Sequence, residues 1–306
     1  MAPTFAEATA VRAIDSHTYA ANFDSEWCVG SVPHGGVVTS VFLRVAAVHF
    51  RTTLAAQNQP HTISLHLEFL RRTQEGSATL VVRDVKLGRQ TSTIHVTLSQ
   101  DGLEEVVGYL TQSNMDTETG LSLKTSWSLH PHPHPPPADF AALLTTGKDP
   151  SWVEQTDKPY AKFRKVGNRV RTFLPRKGQL APGLVDEWLR LGSGENFTNE
   201  SLGFVCDQFP SVIEGLWRRE MNDKSLLPFW YPTVVLNLDV KKTLPPEGVE
   251  WLFVRVQTKC VKNGRMDLEI VILDDAGEVV ASSHHIVLIV GSERNLAARR
   301  NGQTKI

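Results

Sequence analysis

Cysteine is scarce in this 306-residue chain: Cys28, Cys206 and Cys260 are far apart and odd in number. That argues against a disulfide framework and fits a reducing compartment. Long apolar runs are lacking too. The opening stretch MAPTFAEATAVRAID has no apolar core of the secretory kind, and no run approaches a membrane span. The cytoplasm is therefore the expected compartment, with no membrane as partner. Charge of one sign is missing: 32 basic and 33 acidic side chains leave a formal net charge of -1. No electrostatic case for nucleic acid follows from that balance. Absent as well are a P-loop, a dinucleotide fingerprint, a Gly-x-Ser-x-Gly elbow and any convincing zinc spacing. Neither a metal nor a cofactor is expected.

What is present is an ordinary globular composition, 41% hydrophobic and 21% charged, at a length comfortable for two domains. The stretch 116–180 reads as connection. It carries His130-Pro131-His132-Pro133-His134-Pro135-Pro136-Pro137, which cannot continue a helix and suits an extended, solvated linker. Its alternating histidines could hold a metal only weakly. The expected domains are thus 1–115 and 181–306.

Either side of this linker the same elements recur in order. Residues 35–50 (GGVVTSVFLRVAAVHF) suit a helix apolar on nearly every face, which must be wrapped by protein. Period-two stretches rich in β-branched residues follow at 61–71, 78–86, 91–99 and 105–112. In the second half a helical region at 201–219, kinked or broken at Pro210, precedes strands at 233–241, 251–259, 266–273 and 278–289. Val82-Arg83 with Gly88-Arg89 matches Val254-Arg255 with Gly264-Arg265. Asp101-Gly102 before Glu105-Val106-Val107 matches Asp275-Ala276-Gly277 before Glu278-Val279-Val280. A duplication explains these pairs, and an α+β class follows from one helix and an antiparallel run of strands per copy.

Several motifs carry a family resemblance. They are Pro33-His34-Gly35-Gly36-Val37-Val38, Phe69-Leu70-Arg71, Asp186-Glu187-Trp188-Leu189, Ser201-Leu202-Gly203-Phe204-Val205-Cys206-Asp207 and Val280-Ala281-Ser282. In this order the chain resembles the acyl-CoA thioesterase II family and its fungal thioesterase-like relatives. The resemblance implies two tandem hotdog domains, each an apolar helix wrapped by an antiparallel sheet, and hydrolysis of an acyl thioester. The acyl carrier would be coenzyme A or protein-bound pantetheine, and a homo-oligomer would be in keeping.

The resemblance also implies a water held by an Asp, a hydroxyl and a Gln. Asp207 falls on the carboxylate position, Thr233 on the hydroxyl position with Asn237 as the alternative, and His285 on the Gln position. That last is a departure. The repeat puts Gln112 at the matching point of the first half, while Phe42 stands where the first half would carry the carboxylate. One composite site is therefore expected, with Asp207 from one half and His34, Gly35 and Gly36 from the other. A helix N-terminus presents unpaired N–H groups and a positive dipole end, and glycines let a substrate carbonyl approach them.

Plainer roles compete for each residue. The glycines could serve close packing and His34 a cap. Asp207 could cap a helix or pair with Arg218 or Arg219, and His285 could be a strand residue without catalytic part. Cys206 reads as core. Arg71, Arg72, Lys86 and Arg89 could grip coenzyme A phosphates or form a solvated strand edge. The His285 departure keeps two alternatives to hydrolysis: a dehydratase, isomerase or cyclase acting on an acyl or polyketide intermediate, and a non-catalytic acyl-binding protein.

Overall fold

The computed structural model describes residues 2–214 and 229–297. The first half contains α1 (Phe5–Ala8), β1 (Val11–Ala13), β2 (Thr18–Phe23) and a short hairpin, β3 (Cys28–Val29) with β4 (Val32–Pro33). The long helix α2 (Gly35–Arg51) follows, then β5 (His61–Phe69), β6 (Gly76–Lys86), β7 (Ser92–Gln100) and β8 (Leu103–Ser113). The second half contains α3 (Phe140–Thr146), β9 (Trp152–Glu154), β10 (Val170–Pro175), β11 (Leu184–Leu191), α4 (Leu202–Val205) and β12 (Phe229–Trp230). It continues with β13 (Thr233–Val240), β14 (Leu252–Gln257), β15 (Val261–Lys262), β16 (Arg265–Leu273), β17 (Val279–Leu288), β18 (Val290–Gly291) and α5 (Glu293–Leu296).

Most of these strands form one 14-stranded sheet in the order β1-β2-β6-β7-β8-β5-β13-β17-β16-β14-β11-β10-β9, with β15 alongside β16. Read outward from the β5–β13 junction, the two halves repeat each other: β8, β7, β6, β2 on one side and β17, β16, β14, β11 on the other. The junction is itself antiparallel, pairing Leu65 with Leu238 and His66 with Asn237. The duplication seen in sequence thus becomes two hotdog units sharing one continuous sheet.

Local chemistry accounts for the elements. β7 alternates buried and half-buried residues along its length, as a strand with one face on the core must. The β7–β8 turn holds Asp101 at φ 52° and Gly102 at φ 75°, the left-handed pair that a tight hairpin requires. Along α2, Val37, Val38, Val41, Phe42, Val45, Ala46 and Phe50 are all buried in the main core, where the helix meets β1, β5 and α4.

Two expectations need correction. The stretch 116–180 is not purely a connection. β9 and β10 lie within it and extend the sheet, and Leu129, Leu143 and Trp152 pack with Phe173, Trp188, Trp251 and Phe253 on the sheet's second face. The His-Pro run between Leu129 and α3 is largely exposed, as its composition suggests, yet Arg255 fastens it by donating to the Pro131 carbonyl. This second covered face explains why β11 and β14 lack alternation, and why no strand is legible at 184–191. Asp186 there is buried against Arg255, which donates to both carboxylate oxygens at 2.6 Å. Its neighbour Glu187 is fully buried with no hydrogen-bond partner among the described residues, and burial pushes its acid well above the ordinary range.

The helix expected at 201–219 is also shorter within the described residues. α4 ends at Val205, and the Asp207 N–H reaches back only to the Phe204 carbonyl, a tightened last turn. Residues 215–219, including Arg218 and Arg219 as partners weighed for Asp207, lie outside the described residues.

Candidate active site

Besides the β5–β13 pairing, the halves meet at a helix crossing. A Cβ on Gly36 would lie 2.9 Å from the Gly203 carbonyl oxygen and the Phe204 Cα, and one on Gly203 would lie 2.8 Å from the Ser40 nitrogen. Only glycine lets α2 and α4 meet this closely. The crossing sets Asp207, leaving α4, against the N-terminus of α2: a Cβ on Gly35 would sit 2.8 Å from Asp207 Oδ2. Gly36 lies as close, since a Cβ there would stand 2.9 Å from the Asp207 Cβ, and its backbone N–H acts to lower the Asp207 pKa.

Two imidazoles flank that carboxylate, one from each half. His34 Nδ1 stands 3.7 Å from Asp207 Oδ2, and His285 Nδ1 stands 3.6 Å from Oδ1. Both are longer than a hydrogen bond, and both Nδ1 atoms are buried with no hydrogen-bond partner among the described residues. His34 is the N-cap residue of α2 but makes no side-chain cap bond, so capping does not explain it. Its ring instead packs edge-on against Phe204.

His285 is fully buried on β17, with Nε2 2.9 Å from the Ser283 hydroxyl. Ser283 in turn donates to the Asn237 carbonyl. Having spent its proton there, the hydroxyl accepts from Nε2–H. The neutral imidazole therefore turns a lone pair at Nδ1 toward Asp207. Ser283 is a partner that sequence reading did not single out. The signal was available, since residues two apart on a strand share a face.

Burial sets the charges. It pushes the Asp207 carboxyl up to about 7, with the Gly36 N–H acting in the opposite direction. Desolvation likewise drives His34 down to about 4, opposed by the Asp207 backbone, and His285 down to about 3, aided by His284 and His34. At neutral pH both imidazoles are uncharged and the carboxylate is poised near half ionisation.

A cavity of about 530 Å³ opens on this cluster. His34, Gly35, Asp207 and Thr233 line it, while Gly36 and His285 lie behind the wall. Phe69, Phe209, Tyr231, Met266 and Leu268 supply an apolar lining. Thr233, opening β13 opposite Val287, shares the cavity with Asp207, but among the described residues no hydrogen bond joins the two. Asn237 turns away: its amide meets the His66 ring and the His284 carbonyl on the sheet's other face. His284 is exposed there while His285 is buried, as alternation requires. In the first half the buried Gln112 donates to the half-buried Thr62 hydroxyl at 2.6 Å, and Phe42 is fully buried in the core.

The four cations weighed as phosphate ligands separate. Arg71 and Arg72 line the cavity, but each donates to backbone carbonyls, Arg71 to Glu104 and Arg72 to residues 294, 295 and 297. Lys86 and Arg89 lie at the β6–β7 turn and do not line it. Cations that sequence reading missed do: Lys158, bound to the Gly167 and Val170 carbonyls, and Arg164, paired with Glu214 beside the Tyr231 ring. Both belong to the stretch taken as linker, where nothing in the pattern marks them. Cys206 is buried and its thiol is pushed up by desolvation, out of the reactive range.

Comparison with known proteins agrees with this architecture. Residues 23–113 match the family described as the acyl-CoA thioesterase N-terminal domain, and residues 130–289 match the acyl-CoA thioesterase C-terminal domain. The chain is 37% identical to the thioesterase-like protein TwmA of Talaromyces wortmannii over 98% of its own length and 96% of the relative's. Among solved structures, a putative thioesterase II of Thermobifida fusca superposes with a TM-score of 0.72 at 21% identity, covering 94% of this chain and 99% of the other. A hot dog fold protein of unknown function from Alicyclobacillus acidocaldarius gives 0.73 at 18% identity, covering 94% and 98%.

Proposed function

The chain belongs to the acyl-CoA thioesterase family, and from that premise we propose that it hydrolyses an acyl thioester by attack of water held at Asp207. The observation that carries the reading is one carboxylate from the second half lodged at the helix N-terminus of the first, inside a cavity of substrate size. In its ionised form Asp207 accepts a proton from the water as oxygen attacks the thioester carbonyl. Gly35, first residue of α2, lines the cavity, and its N–H is the donor we assign to the developing oxyanion. Gly36, which the sequence grouped with it, does not line the cavity and serves the close approach of Asp207 to the helix start. Thr233 contributes a hydroxyl to the same space. His285 does not reach the cavity, so its role is to position Asp207 through its Nδ1.

The acyl-CoA form of the substrate, and a cytoplasmic setting, are part of this proposal. Thiol release from a panel of acyl-CoA esters tests it. The rate should rise with pH through about 7 as Asp207 ionises. Failure of every chain length to release thiol would defeat the reading.

One observation favours a second reading. A carboxyl near half ionisation between two neutral imidazoles is also a set for proton-transfer chemistry, as in dehydration or isomerisation of an acyl intermediate. Products that retain the thioester would select it.

A further inference from the structure

At the far end of α2 from the proposed site, three residues from separate elements converge. His17 lies in the turn between β1 and β2, His49 in the last turn of α2, and Asp84 on β6 at the break in its register with β7. His49 Nε2 is 3.0 Å from Asp84 Oδ1, and His17 Nε2 is 3.3 Å from Asp84 Oδ2. The ligand atoms of all three lie within 4.8 Å of one another. Neighbouring ligands about 2.0–2.1 Å from a tetrahedral zinc stand about 3.3 Å apart, so the two nitrogen–oxygen spacings suit a shared ion.

The surroundings are those of a built site. His49 is fully buried, and its other nitrogen, Nδ1, meets the Tyr19 hydroxyl at 2.9 Å. His17 Nδ1 meets the Ser16 hydroxyl at 2.8 Å. Metal-binding imidazoles characteristically have the far nitrogen engaged in this way, which fixes the ring and the tautomer. Tyr19 can also donate to the Ser16 carbonyl at 3.3 Å, leaving its oxygen free to accept from His49 Nδ1–H. In that arrangement His49 carries its proton at Nδ1 and presents the Nε2 lone pair toward the carboxylate, the form in which an imidazole binds a cation. The turn is held by Asp15, whose Oδ1 accepts from the His17 and Thr18 N–H groups. Asp84 faces inward because it continues the series of Ala78, Leu80 and Val82 on the buried face of β6.

We propose that His17, His49 and Asp84 bind a divalent transition-metal ion, zinc in the first instance. Two imidazoles and a carboxylate are ligands of that class, and three protein donors leave a coordination position open to water. The ion clips the end of α2 to the β1–β2 turn and to β6. Sequence spacing does not mark this site because its ligands come from three distant elements.

Zinc titration of the chelator-treated full chain by calorimetry tests the proposal, with three variants alongside. His17→Ala removes a half-exposed ligand, Asp84→Asn removes the bridging charge, and a triple alanine variant at His130, His132 and His134 removes the exposed histidines of the linker. Wild type and the linker variant should each bind one zinc tightly and melt at a higher temperature with zinc than without. His17→Ala and Asp84→Asn, folded by circular dichroism, should bind that ion more than about tenfold more weakly. Absence of saturable one-ion binding in wild type would overturn the proposal. So would wild-type affinity in both ligand variants, or loss of binding in the linker variant.

Discussion

At the scale of the residue, the account turns on how burial sets protonation. Asp207 is raised to about 7 in the fold, so its protonated form is the stabilised one. That contribution is present below the unfolded carboxyl value and is lost as pH rises through about 7, where roughly 4 kcal/mol would have gone. Asp207→Asn should therefore melt above wild type at pH 9, with the gap closing or reversing by pH 5, as read by thermal denaturation across that range. An equal offset at all pH values would mean that the carboxyl is not desolvated. His285→Ala should lower kcat about tenfold or more with KM little changed, and His285→Gln should restore much of the loss. Gln112 supports that rescue, since it fills the matching place in the first half and binds a threonine hydroxyl. Asp207 and His285 were legible as candidates because the repeat and the family motifs point to them. The Ser283 bond, the close approach of Gly36 to Asp207 and the cations Lys158 and Arg164 were not legible, because they depend on distance in space.

At the scale of the element, the helix crossing is the critical joint. Gly36→Ala would push a methyl group into the Gly203 carbonyl and the Phe204 backbone, neither of which can swing aside as a side chain could. We expect a loss of about 1–3 kcal/mol in chemical denaturation and a disproportionate fall in thiol release, because the same methyl displaces Asp207. A variant with normal stability and activity would show the approach to be looser than described. The eight strands read from alternation all appear, displaced by at most two residues at their ends. Those missed, notably β10 and β11, meet the main core on one face and the aromatic cluster around Trp152 and Trp188 on the other, so the period-two signal is absent. Within the described residues α4 ends at Val205, ahead of the break expected at Pro210, because apolar content alone does not show where a chain leaves a helix.

At the scale of the whole molecule, fusion has let two copies diverge. The first half keeps the glycine helix N-terminus and the Gln112–Thr62 pair but holds Phe42 in its core. The second supplies Asp207 and His285. The halves share a strand pairing at β5–β13, and the C-terminal segment crosses back, where Asn295 accepts from the Ser31 N–H and donates to the Val29 carbonyl. Separation therefore exposes a long sheet edge on each half and dismantles the site. The domain order was legible from the repeat. The sharing of one sheet and one composite site rests on contacts between halves, which no periodicity records.

The central claim is that this single carboxylate does the chemistry, and Asp207→Asn tests it most directly. Single-turnover thiol release should be measured from whichever acyl-CoA the wild type cleaves best, with folding verified by circular dichroism. The account predicts a fall of about 100-fold or more, with loss of the pH dependence near 7. Release at the wild-type rate by the folded variant would contradict it.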